Sequence, residues 1–260
     1  MSEAMYVAAS GSLVHQIRME ILANNLSNVN TVGFKEDRTV FGAYLPSASD
    51  PVEGDAQEDL SAGGAAIFPQ PLPSNFHLAF EGTKTNFSGG QLKFTGNPLD
   101  LGLEGDGFFC IKTPEGTQYT RKGNFTLDND GLLVTQEGQP VLGLGGEIKI
   151  TGKDVLVDAK GNIAVDGKQV GTIKLVAFPQ SNVLKKVGNT LFASVDQQVT
   201  ENAAEEIKVN QGSIELSNVD GLRVMTEMIQ VLRAYESYKK VIQSVDSATA
   251  KAINDVGAVK

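Results

Sequence analysis

Apolar side chains recur at helical spacing at both ends of the chain and at strand spacing between them. Near the start, Tyr6, Ala9, Leu13, Ile17 and Ile21 fall on one side of a helix, and Met19, Leu22 and Leu26 fall on the opposite side. One partner surface would leave one of these faces uncovered. The segment Asn24-Asn25-Leu-Ser-Asn28-Val-Asn30-Thr-Val-Gly33 ends the helix, because Asn offers local side-chain bonds and Gly accepts left-handed backbone.

The C-terminal segment is the most periodic. Val224, Met228, Val231, Tyr235, Tyr238, Ile242, Val245, Thr249 and Ala252 recur at gaps of four and three, the 3.5-residue repeat of a coiled-coil stripe. A helix over about 220–254 is roughly 50 Å long, more than a small β-domain can cover, and it predicts a helical partner. Leu26-Ser-Asn-Val-Asn30 leaves the first helix and Leu216-Ser-Asn-Val-Asp220 enters the last, which points to a shared job at the helix ends.

Between the helices the period changes. Residues 43–75 carry Pro46, Pro51, Pro69, Pro71 and Pro73 among scattered acids with no sustained periodicity, the pattern of an extended linker. From 76 to 209, short Val-, Ile-, Phe- and Thr-rich runs alternate with Gly, Asp and Asn, as in Phe108 to Lys112, Gln118 to Arg121, Leu132 to Gln136, Glu147 to Ile150, Asn162 to Val165 and Ile173 to Phe178. Asp128-Asn-Asp-Gly131 and Asp158-Ala-Lys-Gly161 read as hairpin turns. The expected class is α+β, with segments 1–42 (N-terminal helix and turn), 43–75 (linker), 76–209 (a central all-β domain of hairpins) and 210–260 (C-terminal helix).

Charge and composition narrow the function. With 31 acidic against 22 basic residues, net −9, and no basic run, nucleic acid is not an expected partner. Cys110, the sole cysteine, sits in the apolar run Gly107-Phe-Phe-Cys-Ile111 and reads as a core thiol. No stretch has the apolar length of a membrane span, and the first residues lack the pattern of a cleavable signal peptide, so no direct membrane insertion is expected.

Catalytic chemistry finds little to work with. His15 and His77 have no metal- or triad-spaced neighbours, and no nucleophile-elbow, zinc-helix or phosphate-loop pattern occurs. Thr126, Asp128, Asp130, Gly131 and Glu137 approach a calcium-loop spacing, but strand-like flanks favour a hairpin. Asp100, Glu104 and Asp106 lie among glycines and read as turn acids. We therefore expect no enzyme: no catalytic residue, no cofactor and no metal. What remains is assembly through the terminal helices, with Tyr6, Leu13, Ile17, Leu22, Leu26, Met228, Val231, Tyr235, Tyr238, Ile242 and Val245 as the expected polymerisation interface. Head-to-tail contacts that do not close give a filament or tube. The alternative is a monomeric β-rich surface- or ligand-binding module whose helices pair internally.

Ala23-Asn-Asn-Leu-Ser-Asn-Val-Asn-Thr-Val-Gly-Phe-Lys35 resembles the signature that ends the N-terminal helix of the flagellar axial proteins, the rod, hook and hook-associated subunits. Three further blocks agree in the family's order. They are Phe94-Thr-Gly-Asn-Pro-Leu-Asp100 with Glu104-Gly-Asp-Gly-Phe-Phe109, then Tyr119-Thr-Arg-Lys-Gly-Asn-Phe125 with Asp130-Gly-Leu-Leu-Val134, then Ser217-Asn-Val219 with Met228-Ile-Gln230 and Arg233-Ala-Tyr-Glu236. The resemblance covers the chain nearly end to end, with gaps in the linker and around 145–200. Departures are Gly221-Leu222 and His15. The chain looks too short for a hook subunit, and Tyr6-Val-Ala and Val231-Leu-Arg-Ala-Tyr-Glu-Ser-Tyr238 resemble proximal-rod more than distal-rod members. The resemblance implies a subunit of the periplasmic basal-body rod, exported by the flagellar type III apparatus without a cleavable signal. Its partners would be itself and other rod subunits. It implies terminal helices packed as a coiled-coil-type tube wall with the β-domain outside, and a motif turn formed by Asn24, Asn25, Asn28, Thr31, Gly33 and Phe34.

Overall fold

The computed structural model describes residues 2–44, 77–178, 184–194, 202–203 and 207–257. Two helices frame a β-rich middle, as the change of period predicts: α1 spans Ser2–Ser27 and α2 spans Gly221–Gly257. Asp220 starts α2 by accepting the Leu222 and Arg223 amides at 3.0 and 3.1 Å, satisfying donors that a helix start leaves bare.

The chain divides into two compact units. One holds residues 1–19, 39–82 and 230–260; the other holds 20–38 and 83–229. In the second unit, a six-stranded antiparallel sheet runs in the order Leu184–Gly188, Leu191–Ser194, Gly116–Thr120, Phe108–Thr113, Leu175–Ala177 and Asn202–Ala203. Phe108–Thr113 is central, which explains its unbroken apolar start: alternate side chains point to opposite faces, and both faces are covered. Phe109 and Ile111 join Phe125, Leu133 and Ile163 in one core cluster. Phe108 and Cys110 join Tyr119, Phe178 and Phe192 in the other, so the thiol is a core residue, 0% exposed.

Both predicted hairpins form. Thr126–Leu127 pairs with Leu133–Val134 across the first turn, where Gly131 takes φ +77° and the Asp128 carboxylate accepts the Asp130 and Leu132 amides at 2.9 and 2.8 Å. Val155–Val157 pairs with Asn162–Val165 across the second, and Asp158 accepts the Lys160 and Asn162 amides, each at 2.9 Å. The near-match to a calcium loop is thus a turn whose first carboxylate already serves its own backbone. Strand lengths differ from the expected runs: Leu132 to Gln136 shortens to Leu133–Val134, and Glu147 to Ile150 becomes Gly146–Glu147 with a bridge from Leu132 to Lys149. Asp37–Tyr44 and His77–Thr85 pair as a two-stranded sheet. The expected linker begins at the end of the first of these strands, and its residues 45–75 lie outside the described residues.

In the first unit, the early part of α1 meets α2. The His15 and Tyr238 rings lie 5.5 Å apart, and Gly11 is so close to Tyr238 that a Cβ there would fall 2.7 Å from the ring. The expected α2 stripe is the covered side of the helix as far as Thr249: Val224 and Val231 are buried, Met228, Tyr235, Tyr238, Ile242, Val245 and Thr249 are half-buried, and Ala252 at its end is exposed.

Candidate functional site

The motif turn and the entry to α2 are laid side by side. Beyond Ser27, the Asn28 side chain donates to the Asn24 carbonyl at 2.9 Å, and the Thr31 hydroxyl donates to Asn28 Oδ1 at 3.0 Å, closing the exposed end of α1. Gly33 then turns the chain at φ +68° and donates its amide to the Glu215 carbonyl at 2.8 Å. A Cβ at Gly33 would sit 2.5 Å from the Lys122 nitrogen, so only glycine fits both the dihedral and the space. The Asn218 amide donates to the Phe34 carbonyl at 3.3 Å, extending the same alignment.

Two amide side chains, one buried and one half-buried, stand in for strand partners. Asn25, fully buried, donates to the Asp37 carbonyl at 2.7 Å and accepts the Asp37 amide at 3.0 Å. Asn218 accepts the Glu36 amide at 2.7 Å and donates to the Asn86 carbonyl at 2.8 Å. The echoed segments both serve the helix ends, through different chemistry: Asn28 closes α1, Asn218 bridges three segments, and Asp220 caps α2.

Beneath the turn lies a buried ion network. Lys35 Nζ donates to Glu215 Oε1 at 2.6 Å and to the Ser88 carbonyl at 2.7 Å, and the Lys35 and Glu215 side chains are 0% and 1% exposed. Arg121 donates to the other Glu215 oxygen at 3.2 Å and to the Gly105 carbonyl at 2.6 Å, with its guanidinium 5.1 Å from the Phe108 ring centre. Glu36, 3% exposed at its side chain, accepts from Arg38 at 3.0 Å and from Arg223 in the first turn of α2. Lys186 pairs with Asp37 at 2.7 Å while sitting 4.1 Å over the Phe34 ring.

The electrostatics follow from burial and pairing. Burial pushes the Lys35 ammonium below lysine's ordinary range, against the opposing pull of Glu215. Arg121 is lowered for the same reason and Lys186 likewise, with Asp37 resisting. Burial alone would raise Glu36, but the hydrogen bonds from Arg223 and Arg38 outweigh it and hold this carboxyl below the usual range. A cleft of about 490 Å³ opens beside the turn, bounded by Asn24, Asn28, Thr31, Lys122, Glu137 and Thr190. Lys122 and Glu137 pair across it at 2.6 Å.

Sequence reasoning singled out the turn residues but not Arg121, Glu215 or Arg223. Their signal is a charge inside apolar surroundings, as in Ile214-Glu-Leu216. The structure gathers Asn24, Asn25, Asn28, Thr31, Gly33 and Phe34 into one junction. It spreads the expected interface residues along the helices instead: Leu22 is buried, Ile17 and Leu26 are half-buried, Leu13 is 57% exposed, and Met228 is half-buried. The Tyr6 side chain lies outside the described residues.

The junction spends its charges on holding chain segments together, the arrangement expected of a structural protein. Residues 5–35 match the family described as flagella basal body rod protein, residues 102–166 match the flagellar hook protein FlgE/F/G D1 domain, and residues 210–255 match the flagellar basal body rod FlgEFG protein C-terminal family. Across its length the chain is 36% identical to the flagellar basal-body rod protein FlgG of Bacillus subtilis, covering 98% of this chain and 99% of that one. It is 31% identical to FlgF of Mesorhizobium japonicum over 99% of both, and 29% identical to FlgF of Caulobacter vibrioides over 100% of both. The chain belongs to the flagellar basal-body rod protein family. It is a structural component of the rod, acts among other rod components and is not an enzyme. Among the described residues, no helix is long and apolar enough to cross a membrane.

Proposed function

We propose that the chain polymerises through its terminal helices into the coiled-coil-type wall of a periplasm-spanning drive shaft and transmits torque along it. The observation that carries this reading is the α2 stripe: Tyr235, Tyr238, Ile242 and Val245 stay half-buried within the chain, leaving apolar area for further helices to cover. The buried cluster of Lys35, Arg121 and Glu215 ties the segment that follows α1 to the segment that leads into α2. Export through the flagellar type III apparatus without a cleavable signal, and a proximal position in the rod, belong to the same proposal and rest on the segments quoted above.

Replacing Tyr235 or Ile242 with Asp puts a charge into the helix interface at a cost of several kcal/mol for an unpaired buried ion. The expected outcome is a folded chain, by far-UV circular dichroism, that no longer sediments as polymer and does not restore swimming. Normal assembly of both variants defeats the proposal. The contact of His15 with Tyr238 favours a second reading, a monomer whose helices are satisfied by each other. A wild-type chain that stays monomeric at high concentration selects it.

A further inference from the structure

The cleft of about 490 Å³ beside the motif turn lies wholly within the second unit, and its walls hold hydrogen-bonding capacity that the chain leaves unspent. Asn25 and Asn28 of the motif are engaged, but Asn24, exposed in the last turn of α1, makes no side-chain hydrogen bond among the described residues. A second element, the two-residue turn between Leu184–Gly188 and Leu191–Ser194, brings Asn189 to the same cleft, exposed and likewise without a side-chain bond. Asn189 and Thr190 both take left-handed backbone, at φ +48° and +61°, a conformation that a β-branched threonine resists, and Thr120 Oγ1 fixes the turn by donating to the Thr190 carbonyl at 2.9 Å. Thr31 and Thr190 donate their hydroxyl protons to Asn28 Oδ1 and to the Asn189 carbonyl, which leaves each hydroxyl oxygen able to accept. The charges, by contrast, are committed: Lys122 pairs with Glu137 at 2.6 Å and Lys186 with Asp37 at 2.7 Å.

We propose that this cleft binds an extended, uncharged stretch of a partner polypeptide through its main chain, with the Asn24 and Asn189 amides engaging its N–H and C=O groups. The chain already uses primary amides in this way. Asn25 holds both main-chain groups of Asp37, Asn218 takes the Glu36 amide and the Asn86 carbonyl, and Gln211 accepts the Val157 amide at 3.1 Å while donating to the Val155 carbonyl at 2.8 Å. An amide head offers two donors and an acceptor, the complement of an extended backbone. A ligand with net charge would have to break one of the two ion pairs to find a counter-charge. A sugar ring would call for an exposed aromatic face, whereas Phe34 is 7% exposed beneath Lys186 and Phe192 is 0% exposed. The fixed turn favours binding, because groups already held in place lose little freedom when a ligand arrives.

Because the contacts are to main chain, the side chains of the probe matter little, and the blocked tetrapeptide acetyl-Thr-Ser-Thr-Ser-amide serves, about 13 Å long when extended. Saturation-transfer NMR on the full chain, at a concentration where it sediments as monomer, should show peptide binding that saturates with a Kd of about 1 mM, the strength a few hydrogen bonds supply. Asn24→Ala and Asn189→Gly keep the fold, since alanine suits a helix and glycine suits a left-handed turn, and circular dichroism checks this. Together they should weaken binding at least tenfold, while Lys168→Ala, on a strand that does not line the cleft, changes nothing. Peptide binding that survives the double variant overturns the site. Cellobiose, a neutral disaccharide, is the second probe: if it saturates in the peptide's place and is lost in the double variant, the cleft takes a saccharide and the peptide assignment falls. Saturation by neither probe overturns the proposal as well.

Discussion

Glu215 has two cationic partners, Lys35 and Arg121, and all three side chains are 2% exposed or less. Removing one member of such a cluster leaves unpaired charge in a dry site, which typically costs about 3–5 kcal/mol. Glu215→Gln is expected to lower the unfolding free energy by that much, read from the fall in urea midpoint at unchanged slope. Lys112→Ala, which breaks a pair with Glu147 that is 62% and 36% exposed, should change stability by less than about 1 kcal/mol. Similar losses in both variants would show that the buried cluster is not special. Glu36 gives the pH signature. Its folded-state carboxyl sits below the ordinary 4.5, so its contribution is present above 4.5 and is lost as pH falls through the lower folded value. Arg223→Ala takes away one of the groups holding it down, and acid unfolding followed by fluorescence should then begin at higher pH. None of this network could be assigned from sequence, because Lys35 and Glu215 are 180 positions apart and nothing local says which cation meets which anion.

At the scale of elements, local chemistry reads through. Asp128-Asn-Asp-Gly131 and Asp158-Ala-Lys-Gly161 form the turns they predict because each is complete within a few residues, and the period of α2 is long enough to fix its covered side. The strands Asp37–Tyr44 and His77–Thr85 were not legible, since each takes its meaning from a partner more than 30 residues away. The turn after α1 combines both kinds of information. Its glycine is visible in the sequence, but the backbone of Lys122 that crowds it is not. Gly33→Ala should therefore destabilise by more than the roughly 1 kcal/mol usual for a left-handed alanine, read as a thermal shift; a smaller effect would mean that the contact with Lys122 relaxes easily. The helix pair carries its own sensitivity to pH. Burial, and then Arg18, lower His15 from 6.5, and its Nδ1 is buried without a hydrogen-bond partner against Tyr238. A lowered folded value means that stability is full above 6.5 and falls as pH drops toward that value. Helix content should decline between pH 7 and 5, and His15→Asn should flatten the decline.

For the whole molecule, the two units should open separately. Amide exchange of residues 2–19 and 230–257 is expected to be faster than that of the strands around Phe109 and Ile111, because these helices have only partly covered stripes while the strands are covered on both faces. Uniform protection would mean that the helices are satisfied within one chain. The fold class was legible from the change in hydrophobic period, and the family from the four sequence blocks at and between the helices. The junction's geometry needed the structure.

The meeting of Lys35 with Glu215 also sets a timetable. A cation near one end of the chain waits for an anion made 180 residues later, and closing so long a loop costs about 2 kcal/mol more than closing one a twelfth as long. Until the late segment is made, Lys35 and Arg121 lack the carboxylate that makes their burial tolerable, so the cluster stays open through most of the chain's synthesis. The lock shuts only on a chain made at least as far as Glu215.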